Sequence, residues 1–375
     1  MYLIPRLIGI GTYCIVLFIF TFFFNHTDLK DRKILLILYV IILSIIAFNH
    51  IPPTGSDLYR LIPLMQIFTK KTFVELIKTM AKSNTPITIL YYYILGKFNM
   101  DGILAGVTVF IVYSNLFWVL YKASEKFDIS SKRFAMILFC LMSTGVYGGT
   151  IDNIRTTLAL SIITVALYRE FIEKKSITRD IPLYLVASLI HAMGMAVTII
   201  RLGYLCLEKS DSLNKKIKKL FLFVACLFFG LYFGGTRVKN MFNKAMNYFT
   251  KGSYSYIWEI IIAFIHITLC AYILYIFAKR FDDFQEKHEL KNVSNFIKLI
   301  IAISLVSLIF DYNTFYRLNL LVCMIMPILS TAVLAEKNMD ITQKPINYNF
   351  IIITTYLMLC LSCARGSLCS LKFFI

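Results

Sequence analysis

The sequence predicts an all-α fold, that of a polytopic helical membrane protein, on three observations. Hydrophobic residues make up 58% of the 375 residues. Charged residues make up only 16%, whereas a soluble domain carries about 25%. Apolar runs without charge also recur along the chain at the length that a helix needs to cross a bilayer. These observations exclude a soluble enzyme, a DNA-binding domain and a disordered tail.

Ten stretches are predicted to span the membrane. A span needs about 17 to 25 mainly apolar residues, because a helix rises ~1.5 Å per residue and the hydrocarbon core is ~30 Å thick. We predict a single integral-membrane domain over residues 1–375. The predicted spans are 7–24, 33–50, 102–121, 133–149, 155–170, 219–235, 257–278, 296–310, 318–335 and 350–368.

Two further apolar segments are predicted to be re-entrant or broken. Segment 86–96 is too short to cross, and segment 181–207 is interrupted by His191 and by small and charged residues. Irregular backbone at membrane depth is tolerated where it faces protein or a water-filled cavity. A long polar interval, about 51–85, precedes segment 86–96, and we predict 51–101 as a whole to be an outer loop with amphipathic and re-entrant helices.

Lysine and arginine predict the orientation of the bundle. The formal net charge is +18, and one alternating set of loops holds 23 of the 39 Lys and Arg residues. We predict this set to be cytoplasmic and both termini to be outside. If segment 181–207 crossed as one span instead of forming a hairpin, everything after it would invert. Because orientation explains the basic excess, we expect no nucleic-acid partner. The basic loops are 25–33, 122–133, 169–180, 208–219, 279–298 and 336–349.

The nine cysteines lie almost entirely inside apolar stretches, where a thiol behaves as a small hydrophobe. The closest group is Cys360, Cys363 and Cys369, which has no histidine or carboxylate at ligand spacing. We therefore expect packing rather than a disulfide framework, a metal site or a cofactor.

Three predicted outer loops each place an aspartate three or six residues before an arginine. Such a pair can simply anchor a helix end at the interface. Arginine, however, presents a planar fork that grips phosphate with two hydrogen bonds, so three such clusters on one side suit a phosphate or pyrophosphate ligand. The clusters are Asp57 with Tyr59 and Arg60, Asp152 with Arg155, and Asp311 with Tyr316 and Arg317.

Two of the candidate residues have a particular setting. Arg155 opens a predicted helix, whose first turn already favours an anion; a contact with lipid phosphate is the competing interpretation. His191 lies in the middle of the broken segment, where an ionisable side chain is costly. It is either a satisfied structural histidine or a functional one that accepts a proton or donates a hydrogen bond.

Four short motifs follow one another over most of the chain. They are Asp57-x-Tyr59, the helix-opening arginine of Asn153-Ile-Arg155-Thr-Thr-Leu-Ala159, the histidine of Ala187-Ser-Leu-Ile-His191, and Tyr316-Arg317 before an apolar run with Pro327. In this order they resemble the EpsG-like branch of Wzy-type polysaccharide polymerases. The usual pattern of that family has Arg-Gln, whereas here Thr156 follows Arg155, so that a hydroxyl replaces an amide.

The resemblance implies a multi-pass glycosyltransferase of the bacterial inner (cytoplasmic) membrane that makes capsule, O-antigen or exopolysaccharide. Such enzymes transfer a growing glycan from undecaprenyl pyrophosphate to an incoming lipid-linked oligosaccharide on the outer face, without nucleotide sugar, cofactor or metal. A chain-length regulator and a flippase are the implied protein partners. By the same resemblance Arg155 and Arg317 hold the pyrophosphate with help from Arg60, and either Asp57 or His191 is the base. The side chains that orient the sugars would be Tyr59, Asp152, Asp311 and Tyr316.

Transport is the rival class of function. A lipid-oligosaccharide flippase or another transporter would also be basic and polytopic, with broken helices near the midplane. Transport predicts charges near the midplane of several spans, whereas the charges singled out above lie at outer helix ends. An acyltransferase is a third alternative, but the Arg-His and acidic motifs expected near the start of such a chain are absent from this sequence.

Overall fold

The computed structural model describes residues 3–54, 56–208, 257–280, 287–335, 346–365, 368 and 371–372. Within this part of the chain the secondary structure is helical and contains no β-strand, which confirms the predicted fold class. The predicted span 219–235 and the predicted loops around it lie outside the described residues. The first eight helices are α1 (Leu3–His26), α2 (Leu29–Phe48), α3 (Asp57–Thr69), α4 (Phe73–Lys82), α5 (Pro86–Gly96), α6 (Ile103–Phe127), α7 (Ser131–Ser143) and α8 (Val146–Asp152). The others described are α9 (Ile154–Phe171), α10 (Ile177–Ile190), α11 (Ala192–Glu208), α12 (Ile257–Arg280), α13 (Lys287–Phe310), α14 (Tyr312–Val333) and α15 (Tyr348–Ala364).

The chain is a multi-pass membrane protein. Among the described residues, five helices are long and apolar enough to cross a membrane, and a sixth span results if the bent pair α7 and α8 counts as one. The count of ten spans remains a prediction. Helices α2 and α9 carry too many charged residues at their ends to count as spans by length and composition, and α15, with 17 residues, is slightly too short. The five are Ile4–His26, Ile103–Phe127, Ile257–Lys279, Leu290–Phe310 and Tyr312–Val333.

One predicted span is divided in the structure. Residues 133–149 are not one straight helix, because α7 ends at Ser143 and α8 starts at Val146 with a bend of 41°. Gly145 lies between them with φ 77°, a left-handed conformation that a side chain would disfavour. The bend directs α8 toward α3 and α14 at the end of the bundle where α9 begins.

Segment 181–207 forms a helical hairpin and not a single crossing. His191 is extended (φ −153°, ψ 147°) between α10 and α11. Ser188 Oγ donates to Thr198 Oγ1 at 3.2 Å, and Ile181 and Leu202 line one common cavity, so the two helices run antiparallel. A Cβ on Gly194 would overlap the Ala187 carbonyl group, which shows how closely the helices approach. The hairpin therefore returns the chain to the side from which it entered and does not itself invert the orientation.

Close contacts between helices hold the middle of the bundle together. Gly102 and Gly106 lie four residues apart at the start of α6, where a Cβ on Gly102 would overlap the Phe48 carbonyl of α2. Small residues at this spacing let two helix backbones approach each other. Tyr13 of α1 and Tyr147 of α8 stack with ring centroids 4.8 Å apart. Their hydroxyls donate to Met142 O at 2.7 Å and to Leu43 O at 2.8 Å, so these buried polar atoms are satisfied.

The basic end of the bundle is closed by arginines that bind protein groups. Arg32 of α2 donates to Ile129 O at 3.0 Å, and Arg133 of α7 donates to Leu334 O at 3.0 Å. Arg201 of the hairpin pairs with Glu170 of α9 at 2.8 Å, and both side chains are buried. These side chains connect loops and helix ends, so they serve the fold.

Candidate functional site

The predicted outer clusters meet at the end of the bundle opposite the basic loops. A Cβ on Gly149 of α8 would lie 2.8 Å from Tyr316 Oη of α14, so the second and third clusters share one end. The first cluster joins them through an ion pair between Asp57 and Arg155, at the starts of α3 and α9. Residues that are far apart in the sequence therefore surround one region.

Asp57 lies between two arginines. Ser56 caps α3 by accepting a hydrogen bond from Tyr59 N at 3.2 Å, which places Asp57 at the first helical position and Arg60 one turn later. Asp57 Oδ1 pairs with Arg60, and Oδ2 lies 3.8 Å from Arg155 Nη2. The Arg60 side chain is 67% exposed, whereas Asp57 and Arg155 are 26% and 29% exposed. Asp57 and Arg155 thus form the sheltered part of the cluster.

Arg155 makes few contacts with the residues that the structure describes. Its contact with Asp57, at 3.8 Å, is longer than a hydrogen bond. Among the residues that the structure describes, no group accepts a hydrogen bond from its guanidinium. Arg155 is the second residue of the 18-residue helix α9, whose N terminus has no side-chain cap. A cation and the positive end of a helix dipole therefore coincide, which favours a bound anion.

His191 is connected to the same helix by Thr156. The His191 ring is buried, and its Nδ1 accepts a hydrogen bond from Met193 N at 3.1 Å. Thr156 Oγ1 lies 3.5 Å from the same nitrogen. Because Nδ1 is an acceptor here, the neutral ring carries its proton on Nε2. The hydroxyl in place of the family's amide thus faces the histidine.

Helix α5 joins the hairpin to the arginine cluster. Thr88 Oγ1 donates to Ile190 O at 2.7 Å, next to the break at His191. One turn further along α5, Tyr92 interacts electrostatically with both Arg155 and Asp57. The predicted re-entrant segment 86–96 coincides with this helix, and at about 16 Å it is too short to cross. The short helix α5 therefore packs against the broken segment and lies next to the candidate site.

The third cluster combines a structural and an accessible part. Asp311 is 1% exposed and caps α14, accepting from Asn313 N at 3.3 Å, from Thr314 N at 2.8 Å and from Thr314 Oγ1 at 2.7 Å. Tyr316 and Arg317, by contrast, are only partly buried. Tyr316 stacks on Tyr312, whose hydroxyl donates to Glu259 Oε2 at 2.8 Å. Asp311 therefore holds the turn from which Tyr316 and Arg317 project.

The predicted site residues are thus placed as follows. Asp57, Arg60 and Arg155 are in contact, and His191 is linked to Arg155 through Thr156. Tyr59 is 48% exposed beside Arg60, and Asp152 ends α8 immediately before α9. The sequence does not single out Tyr92 or the Thr88 contact, because nothing in the run Tyr91–Tyr93 distinguishes one ring from the next. Their positions depend on the packing of α5.

The second buried histidine considered, His266, lies within the predicted span 257–278. It is 4% exposed between α12 and α14, with Asn319 Oδ1 3.3 Å and Cys323 Sγ 3.5 Å from Nδ1. Glu259, which the sequence places on the same helix, contacts Tyr312 and not His266. In the described ranges, no group of three His, Cys, Asp or Glu side chains is arranged to hold a metal ion.

Comparison with known proteins identifies the family of this chain. A model of the EpsG family matches residues 97–368, more than two thirds of the chain. No curated protein and no solved structure matches it. The matched region includes Arg155, His191 and Arg317, whereas the helix that carries Asp57 and Arg60 precedes it.

Proposed function

Since this chain belongs to the EpsG family, we propose that it polymerises lipid-linked oligosaccharide repeat units on the outer face of the bacterial cytoplasmic membrane. The family is associated with polysaccharide polymerase activity, and the chain is a multi-pass membrane protein. The observation that carries the proposal is Arg155, a guanidinium without a hydrogen bond to any described residue, at the uncapped N terminus of α9 and beside the carboxylate of Asp57. This arrangement suits a pyrophosphate leaving group.

The proposed reaction is a glycosyl transfer from undecaprenyl pyrophosphate. A hydroxyl of the acceptor sugar attacks the anomeric carbon of the growing glycan, the bond from that carbon to the pyrophosphate oxygen breaks, and undecaprenyl pyrophosphate leaves. Arg155 and the first turn of α9 stabilise the negative charge that develops on the departing phosphate. Arg317, near the start of α14, is the proposed second pyrophosphate ligand, and Arg60 assists.

Asp57 is the base in this proposal. The acceptor hydroxyl must lose a proton, and Asp57 or His191 can take it. His191 Nδ1 already accepts the Met193 N–H, so the other ring nitrogen, Nε2, carries a proton and acts as a donor. Asp57 is an accessible carboxylate, and anion binding by Arg155 leaves its Oδ2 ready to receive the proton. His191 then donates a hydrogen bond to a ligand oxygen.

The remaining accessible side chains are proposed to orient the sugars. Tyr59 and Tyr316 offer aromatic faces, and Asp152 ends the helix between them. The carboxylate of Asp311 is occupied by the cap of α14, so we leave it out of the sugar site. Membrane lipid, a chain-length regulator and a flippase are the proposed partners of the enzyme in the cell.

Reconstitution tests the proposal. Purified protein in detergent, supplied with undecaprenyl-pyrophosphate-linked repeat units but no nucleotide sugar or metal, is expected to yield a ladder of longer glycans. Arg155→Ala and Arg317→Ala should each abolish the ladder, while Arg6→Ala, at the N-terminal end of α1, should leave it intact. A ladder that persists in both variants would show that these arginines do not hold the leaving group. Movement of labelled lipid across liposomes without lengthening would instead identify a flippase.

A further inference from the structure

Tyr92 has a buried hydroxyl without a hydrogen-bond partner among the described residues. The side chain is 1% exposed, and within the described part of the chain nothing bonds to its Oη. A buried hydroxyl normally has a partner, because leaving one unpaired destabilises the fold. A phenylalanine would fill the same space without this cost. The hydroxyl therefore calls for an explanation other than packing.

The position of Tyr92 points to the arginine cluster. Its ring stacks on Phe68, near the end of α3, with centroids 6.3 Å apart, and α5 packs along this helix, whose first residue is Asp57. The hydroxyl is close enough to Arg155 and Asp57 to interact electrostatically with both. Thr88, one turn earlier on α5, is fixed to Ile190 O at 2.7 Å, which holds the helix in place.

Two neighbouring polar groups thus lack hydrogen bonds to the described residues. The Arg155 guanidinium makes no hydrogen bond to a described residue, and the neighbouring Tyr92 hydroxyl makes none either. The tyrosine oxygen can accept a hydrogen bond, but Arg155 does not donate one to it here, and the Tyr92 proton needs an acceptor that a guanidinium does not offer. One acceptor placed near both groups can satisfy both. A phosphate has several acceptor oxygens and negative charge, which matches this pair of donors.

We propose that Tyr92 is a ligand-binding residue, whose hydroxyl donates a hydrogen bond to the pyrophosphate group that Arg155 holds. This inference rests on the proposed function. Because Oη is buried, the ligand reaches it only after a neighbouring side chain moves. The side chain of Arg155 can move, because it donates no hydrogen bond to a described residue. Anion binding therefore draws Arg155 from Asp57 and gives the Tyr92 hydroxyl its partner in the same step.

The adjacent tyrosine provides a matched control. Tyr91 Oη bonds to Thr108 Oγ1 of α6 at 2.8 Å, so its hydroxyl already has a partner. Tyr91→Phe removes a hydrogen bond within the fold, whereas Tyr92→Phe removes a hydroxyl that bonds to none of the described residues. Tyr91→Phe should lower the thermal midpoint slightly and leave ligand affinity unchanged. Tyr92→Phe should leave the midpoint equal or higher and weaken binding.

The experiment measures affinity in the purified full-length protein. Binding of undecaprenyl pyrophosphate and of inorganic pyrophosphate is compared among wild type, Tyr92→Phe, Tyr91→Phe and Arg155→Ala, with thermal midpoints on the same samples. Tyr92→Phe should bind both ligands roughly tenfold to a hundredfold more weakly, as expected for one hydrogen bond to a charged oxygen. Arg155→Ala should bind both still more weakly. A loss confined to the lipid form would place the hydroxyl against the prenyl chain and overturn the inference.

Two results separate the inference from the function on which it rests. Wild-type affinity in Tyr92→Phe together with weak binding in Arg155→Ala would refute the role of Tyr92 and leave the anion site intact. Equal affinity in wild type and Arg155→Ala would refute the anion site itself, and the proposed leaving-group contact with it.

Discussion

Arg155 illustrates how much depends on the type of cation. Lysine would supply the same charge at the start of α9, but as a point charge without a planar fork. The family resemblance draws attention to this residue, while its unused donors become visible only in the structure. Its proximity to Asp57, almost a hundred residues earlier, depends on the packing of α3 and α8 and is absent from any local sequence pattern.

Replacement of Arg155 by lysine tests the fork separately from the charge. We expect Arg155→Lys to lower kcat/KM for glycan extension by roughly tenfold to a hundredfold, since bidentate contact with phosphate is lost while the charge remains. Arg155→Ala should lower it further. The measurement is the initial rate of ladder formation in detergent. Equal rates in wild type and Arg155→Lys would mean that only charge matters at this position.

Thr156 occupies the position at which the family usually has glutamine, and the structure gives the hydroxyl a partner in His191. We expect Thr156→Val to reduce the rate of extension a few-fold, because a contact as long as 3.5 Å is weak and the hydrogen bonds that proteins lose by mutation are worth about 0.5–1.5 kcal/mol. Thr157→Val is the control, since Thr157 bonds to carbonyls of its own helix and not to His191. A larger loss in Thr157→Val than in Thr156→Val would contradict the role of this contact.

The elements differ in how far the sequence determines them. The sequence predicts segment 86–96 with the bounds of α5, because Pro86 suits a helix start and the charges around Lys97 mark its end. It also predicts the break near His191, from polar and small residues within an apolar run. It does not predict the division of 133–149, because Ser143, Thr144 and Gly145 hardly lower the hydropathy of the run. The break between α7 and α8 is seen only in the structure, where Gly145 has a positive φ.

Substitution of Gly194 tests the hairpin, and the same substitution at Gly11 of α1 is the control. A Cβ on Gly194 would overlap backbone atoms of Ala187, so Gly194→Ala must push α11 away from α10. We expect it to cost about 1–3 kcal/mol of unfolding free energy, the usual range for overpacking. A Cβ on Gly11 of α1 would meet no atom within 4 Å, so Gly11→Ala should stabilise its helix by roughly 0.5–1 kcal/mol.

The thermal midpoints of the two variants and of wild type, measured in detergent, test these stability changes. Gly194→Ala should unfold below wild type and Gly11→Ala at or above it. If Gly194→Ala were as stable as wild type, the close approach of α10 and α11 would be wrong, and the single-span alternative for 181–207 would regain support.

At the scale of the whole molecule, the arginines form two groups, one at each end of the bundle, with different roles. Arginines at one end bind carbonyls and buried carboxylates, as Arg133 does with Leu334 O. At the other end Arg60 and Arg155 surround Asp57, and Arg155 donates no hydrogen bond to any residue in the described part of the chain. The net charge of +18 predicts this division only in outline. Some arginines bond to protein groups, and others can bind a ligand. The difference depends on spatial neighbours that the sequence does not identify.

The first and last described helices are expected to be linked by oxidation. Cys14 Sγ of α1 and Cys363 Sγ of α15 lie 3.7 Å apart, so a small movement brings them to bonding distance. Copper phenanthroline with oxygen should take two electrons and two protons from the pair and form an intramolecular disulfide. Cys14→Ser should prevent the cross-link, whereas Cys360→Ser, at an exposed cysteine, should not. Mass spectrometry of the digested protein detects the linked peptides, and their absence would contradict the packing of α1 on α15.

Topology provides the prediction on which the others depend, because Asp57, Arg155 and Arg317 must face the same outer space. In a background without native cysteines, single cysteines at the exposed positions Tyr59 and Arg365 should react with a membrane-impermeant maleimide in intact cells. Cysteines at Lys122 and Lys291, at the basic end, should react only after permeabilisation. Because Lys291 follows the 181–207 hairpin, its labelling from outside would mean that the second half of the chain is inverted. Arg317 would then lie across the membrane from Arg155, and one site could not contain both.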